Sequence, residues 1–319
     1  MKTRILFFII IVPFLGTAQL EKHNIMTHIL KSKNLEIHID SPLKNYNLSR
    51  FDWTGKITAV KFKNVYVTGA ERMDVKNEND YGKGLYNEFG IERPIGYDEI
   101  SKGEWFQKIG IGLLKKDDEV YDFVKSYDIQ PAIFKVKKKS NKITIYCKSQ
   151  MINGFSYELK KEIELFDSSF EIKYSLQNTG KKTISTNEYI HNFLAINKDF
   201  MGSNYILTFP FQLKPKLFEK TFNPENKVEI GQREITFNNT PNEQFFFSNL
   251  SGSEEVDASW ELINTKSNIG ISEKGSFKTT KVNLWGWSHV VSPELFFDIN
   301  VLPGQFVEWT RTYNVFEIN

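Results

Sequence analysis

A single cysteine, Cys147, stands in 319 residues. One thiol cannot close an internal disulfide, and it excludes thiolate zinc clusters. An excess of one charge is also missing. The 41 Lys and Arg stand against 39 Asp and Glu, a formal +2, which is no footprint for nucleic acid. The short run Lys135-Val136-Lys137-Lys138-Lys139 is expected at a hairpin turn and reads as a solvated turn. No His-x-His or His-Glu-x-x-His spacing occurs. The acidic pairs Asp117-Asp118 and Glu254-Glu255 sit in turns, so no metal site and no cofactor are expected. The absence of Gly-x-Ser-x-Gly argues against a serine hydrolase. Apolar residues almost never recur at helical spacing, which leaves little room for helices.

The chain begins with a targeting pattern. Lys2 and Arg4 precede an apolar run from Ile5 to Leu15, broken only by Pro13, and Gly16-Thr17-Ala18 offers small residues for cleavage. The run is too short for a stable bilayer anchor, and no later stretch is apolar enough to replace it. The expectation is a signal peptide over 1–19 and a single β domain over 20–319. The mature protein would be periplasmic or secreted, with no membrane span and, lacking a nearby cysteine, no lipid anchor.

Strand patterns fill the rest. Leu35–Asp40, Gly55–Lys63, Ala132–Val136, Lys142–Tyr146, Phe155–Leu165 and Phe170–Leu176 alternate apolar and polar residues, with Asp, Ser, Asn and Gly between them. Each alternation buries one face of a strand, and the polar clusters turn the chain back on itself. This predicts an all-β sandwich of antiparallel sheets. The stretch from Glu71 to Gly112 holds seven glycines and no clear alternation. It is expected to be a long loop suited to binding. Cys147 alternates into the core; His23 and His28 are expected in solvent and His38 at a strand edge.

Several short segments carry a resemblance. Ser49-Arg50-Phe51-Asp52-Trp53-Thr54-Gly55-Lys56-Ile57 comes first, followed by Tyr86-Asn87-Glu88-Phe89-Gly90 and Gly96-Tyr97-Asp98-Glu99. Phe106–Leu114, His191-Asn192-Phe193, Pro303-Gly304-Gln305 and Trp309 complete the order. Together they resemble the galactose-mutarotase-like superfamily of aldose-epimerase-like proteins. The resemblance implies a β-supersandwich with a concave sugar site. It also implies two histidines and a carboxylate that open a hexose ring by proton transfer. His191 resembles the retained histidine. Glu88 stands where the family places its first histidine, in Asn87-Glu88-Phe89-Gly90. The late strand that should carry the basic glutamate reads Asn283-Leu284-Trp285-Gly286-Trp287-Ser288-His289, with Glu294 close by but offset.

The candidate catalytic residues are therefore His191, His289 and Tyr189. An imidazole moves protons near neutral pH, although either histidine could instead be a hydrogen-bonded core residue. The candidate substrate contacts are Arg50, Arg72, Glu88, Arg93, Trp285, Trp287 and Glu294. The guanidinium groups would hold a carboxylate through paired hydrogen bonds, and the two tryptophans would form an aromatic wall. Because the mutarotase set is altered and the arginines suit a uronic acid, the leading expectation is β-elimination on exported uronic-acid oligosaccharides, of lyase or dehydratase type. Aldose 1-epimerase activity is the alternative, and carbohydrate binding without catalysis is a third.

Overall fold

Gly55 marks the place where two large sheets meet. Its φ is +74°, and a Cβ there would lie 2.9 Å from Ile145 Cδ1 and 3.7 Å from Ile39 Cγ2. The structure, a computed structural model, describes residues 26–318. The expected signal peptide and His23 lie outside the described residues.

One sheet has ten strands. It runs Val228–Ile230, Glu234–Phe237, Tyr205–Thr208, Val256–Asn264, Ile269–Thr279, Phe306–Glu317, Ser169–Asn178, Tyr157–Leu165, Lys142–Lys148 and Ile133–Lys138. The sheet facing it has seven. Six run in the order Thr27–Lys31, Leu35–Asp40, Lys56–Phe62, Leu85–Phe89, Ile184–Asn192 and Phe297–Val301, and Val65–Tyr66 pairs with the third. A four-stranded sheet adjoins the seven-stranded one through Val290–Leu295 and Val282–Trp287, joined to it by the Leu194–Val291 bridge. A three-stranded sheet, Trp105–Lys108, Gly112–Lys115 and Ile129–Pro131, stands beside them. All strand pairs are antiparallel, and the described residues contain only four short 3-10 turns as helix. The all-β expectation matches this architecture.

Alternation explains the ten-stranded sheet. Tyr157–Leu165 buries every second residue, and Leu159, Ile163 and Leu165 enter the core with Ile143, Ile145, Ile172 and Leu176. Cys147 joins them. The seven-stranded sheet differs, because its central strands are covered on both faces. All five residues of Leu85–Phe89 are buried. Its second face meets an aromatic cluster of Tyr46, Phe51, Trp53, Tyr86, Tyr97, Phe106 and Phe193.

This corrects the expectation of a loop from Glu71 to Gly112. That stretch supplies a central strand, and a strand buried on both faces shows no alternation. His28 is also corrected. It is only 7% exposed and its Nε2 bonds Ser41 Oγ at 2.9 Å, since Thr27–Lys31 packs against Leu35–Asp40. His38 is on an interior strand and bonds Glu36 at 2.7 Å.

Charged groups also cross the core. Arg311 donates to Glu188 Oε2 at 2.7 Å, to Glu273 Oε1 and to the Leu295 carbonyl. Trp309, Asn87, Trp260 and Asn192 donate to the two carboxylates as well. Buried charges persist only when paired and hydrogen-bonded in this way.

Candidate active site

Strands Leu85–Phe89 and Ile184–Asn192 pair with Tyr86 opposite His191 and Glu88 opposite Tyr189. Alternate residues share a face, so Tyr86, Glu88, Tyr189 and His191 all project from the same side of the sheet. Strand Val290–Leu295 adds Ser292 and Glu294 on the same side, and Val282–Trp287 adds Trp285.

His191 is held from every direction. Ser292 Oγ lies 2.7 Å from Nδ1 and Glu294 Oε1 lies 3.4 Å from Nε2. Phe193 stacks on the ring at 4.2 Å, Trp285 meets it edge-on at 5.2 Å, and Phe51 does so at 6.3 Å. Burial, with the nearby Arg50 charge, holds the imidazole well below its ordinary value. Burial pushes the Glu294 carboxyl up to about 8, opposed in part by Arg50. At neutral pH the pair therefore carries its proton on the carboxyl, next to a neutral imidazole.

A second charged group adjoins the first. Arg50 Nε bonds Glu88 Oε2 at 3.1 Å, and Nη1 reaches Glu71 Oε1 at 3.4 Å. Tyr189 OH donates to Glu88 Oε2 at 2.8 Å. Lys108 Nζ lies 3.7 Å from Glu88 Oε1 and donates to Tyr121 OH at 2.8 Å. Burial lowers Lys108 to about 8 despite the carboxylate beside it. Burial also raises Tyr189 well above its ordinary value, with Glu88 adding to the effect, so the phenol stays a proton donor.

The fold thus brings together Arg50, Glu88, Tyr189, His191, Trp285 and Glu294. His289 takes another position. Its Nε2 lies 3.1 Å from the Ala70 carbonyl, and its ring packs beside Trp287 at 5.5 Å, at the rim and apart from the His191–Glu294 contact. Arg72 is at the same rim, over Trp287 at 5.2 Å. Arg93 is a correction. It is largely exposed and pairs with Asp298 at 3.8 Å, outside the cluster. A cavity of about 210 Å³ opens beside Arg50, lined by Phe51, Glu71, Arg72, Tyr81 and Phe123 among others. Phe51 lines this cavity and also meets the His191 ring edge-on.

The sequence analysis missed Lys108, Tyr121, Glu71 and Ser292. Lys108 lies inside a quoted segment, and the one signal it offered was a lone charge in the otherwise uncharged run Trp105–Leu114. Among the described residues, no group of three or more His, Cys, Asp or Glu could hold a metal ion. No helix among them is long and apolar enough to cross a membrane.

No protein-family model and no curated protein sequence matches the chain. Solved structures do. The Slr1438 protein of Synechocystis sp. PCC 6803 is similar with a TM-score of 0.58 at 11% identity, over 91% of this chain and 95% of that one. A galactose mutarotase related enzyme from Lactobacillus acidophilus is similar at 0.54 and 10% identity, over 92% and 100%. An aldose epimerase homologue from C. elegans is similar at 0.53 and 12% identity, over 92% and 100%. Identities this low speak for the fold, and one fold can host several reactions. The chain has the galactose-mutarotase-like β-sandwich fold, shared with aldose 1-epimerase-like proteins.

Proposed function

We propose that this protein is a sugar-directed acid–base enzyme of the aldose 1-epimerase type, working through Glu294 and His191. The observation that carries the reading is the 3.4 Å approach of Glu294 Oε1 to His191 Nε2. Anomer exchange needs an acid and a base side by side, because the ring oxygen and the anomeric hydroxyl share one carbon. The protonated Glu294 carboxyl gives its proton to the ring oxygen while neutral His191 Nε2 takes the hydroxyl proton. The bond from the anomeric carbon to the ring oxygen breaks, leaving an open-chain aldehyde. Rotation and reclosure return both protons, so the cycle is redox-neutral. With the His191 proton placed on Nδ1, toward Ser292 Oγ at 2.7 Å, Nε2 is left free as the base. Tyr189 and Arg50, both fixed by Glu88, supply donors beside the ring.

Elimination on a uronic acid is the second reading, favoured by the Arg72 guanidinium at the cavity. It has less support than epimerisation. Arg93 is outside the cluster, and the Arg50 charge is met by Glu88 and Glu71. Export through the 1–19 segment is part of the same proposal, and mass spectrometry of the secreted or periplasmic product should find the new N-terminus at Gln19 or Leu20.

The decisive experiment is polarimetry of freshly dissolved aldoses with purified protein. Acceleration of anomer exchange supports the reading. No acceleration for any aldose, together with a rise in unsaturated-uronate absorbance on uronic-acid oligosaccharides, replaces it with elimination.

A further inference from the structure

We propose that Arg72 forms a subsite for a single carboxylate on the sugar, which makes hexuronates, rather than neutral hexoses, the substrate class; this rests on the acid–base reading of the same site. Three cationic side chains, Arg50, Arg72 and Lys125, and two anionic ones, Glu71 and Asp80, line the 210 Å³ cavity. Four of these five are already engaged. Arg50 is held by Glu88 and Glu71, and Lys125 by Asp117. Asp80 accepts from Asn77.

Arg72 pairs with no carboxylate among the described residues. Its guanidinium lies over Trp287 at 5.2 Å and Tyr81 at 6.0 Å. Aromatic faces attract a guanidinium without using its N–H edges. Those edges fit a carboxylate through two parallel hydrogen bonds. Arg72 is thus the cation of the lining left to take a planar monoanion, while Asp80, held by the neutral Asn77 amide, keeps its own charge. A dianionic phosphate would bring a second negative charge beside Glu71 and Asp80.

The placement also suits a sugar ring. Trp287 is two residues along its strand from Trp285, which touches His191. That spacing is about 7 Å. In a pyranuronate, the carbon bearing the carboxylate and the anomeric carbon both flank the ring oxygen. Trp285, Trp287 and Glu294 share one face of their sheet, so an anion held near Trp287 is on the side that carries the His191–Glu294 pair.

The test is calorimetric titration of the full chain with galacturonate, galactose and galactose 6-phosphate. Arg72→Met and Arg72→Lys are titrated alongside, with thermal unfolding as the fold control. Galacturonate should bind at least roughly tenfold more tightly than galactose. Arg72→Met should bring that ratio to near one, and Arg72→Lys should keep part of it. Equal affinities in the native protein, a preference surviving in Arg72→Met, or tighter binding of the phosphosugar would each overturn the subsite. Galacturonate bound through Arg72 without anomer exchange keeps the subsite and removes the epimerase reading. Anomer exchange with no uronate preference does the reverse.

Discussion

Glu294 Oε1 lies 3.4 Å from His191 Nε2, and the buried carboxyl, not the imidazole, holds the proton at neutral pH. Removing either group takes away one of the two proton transfers. Glu294→Gln and His191→Ala should each slow anomer exchange by about 10²–10⁴-fold, read by polarimetry at saturating aldose. Circular dichroism should stay native for Glu294→Gln. A rate within threefold of the parent in both variants would remove the pair from the mechanism.

Protonated Glu294 is the acid in this scheme, so activity should decline as pH rises through about 8. Stability follows the same group. Its folded value lies above the ordinary carboxylate value of 4.5. The stability it contributes is therefore complete below 4.5 and is lost as pH rises through about 8. Urea midpoints measured across that range should fall with pH in the parent and fall less in Glu294→Gln. Parallel slopes would contradict the raised carboxyl.

Arg311 joins Glu188 and Glu273 inside the core with none of the three exposed. Arg311→Ala would leave two buried carboxylates without their cation. The expected cost is about 3–5 kcal/mol, measured by urea unfolding. Arg311→Met, which keeps most of the volume, should still unfold earlier than the parent, because the carboxylates remain. A loss under 1 kcal/mol (about the effect of an exposed pair) would show that the cluster is wetter than the geometry indicates.

Arg93 and Arg50 make a contrasting pair. Arg93 is exposed beside Asp298, so Arg93→Ala should change stability by no more than about 0.5 kcal/mol and leave the rate as it was. Arg50 holds the fully buried Glu88, so Arg50→Met should destabilise by about 3 kcal/mol and slow turnover. Equal behaviour of the two variants in unfolding and polarimetry would count against the site as drawn.

Much of the scaffold was legible because alternation is local. Lys142–Lys148, Tyr157–Leu165 and Ser169–Asn178 fall where the apolar periodicity put them, since each has one face in the core and the other in solvent. Leu85–Phe89 escaped notice for the opposite reason. With Tyr86 and Glu88 on one covered face and Leu85, Asn87 and Phe89 on the other, polarity no longer reports burial. His191 was singled out through its neighbours Asn192 and Phe193, and Glu294 was a candidate, yet the contact between the two was not legible. Glu294 looked offset because counting along one strand cannot show that the chain reverses at Ser288–His289 and returns Glu294 beside His191.

The all-β class and the single buried thiol are readable from composition and a two-residue period, which need no distant partner. Which charges meet is set by the folded arrangement. Arg50 reaches Glu88, Arg93 pairs with Asp298, and Arg72 lies over Trp287 with no carboxylate partner among the described residues. Those pairings join strands far apart in the chain. The register and covering of whole sheets set them, and no short window of residues contains that information.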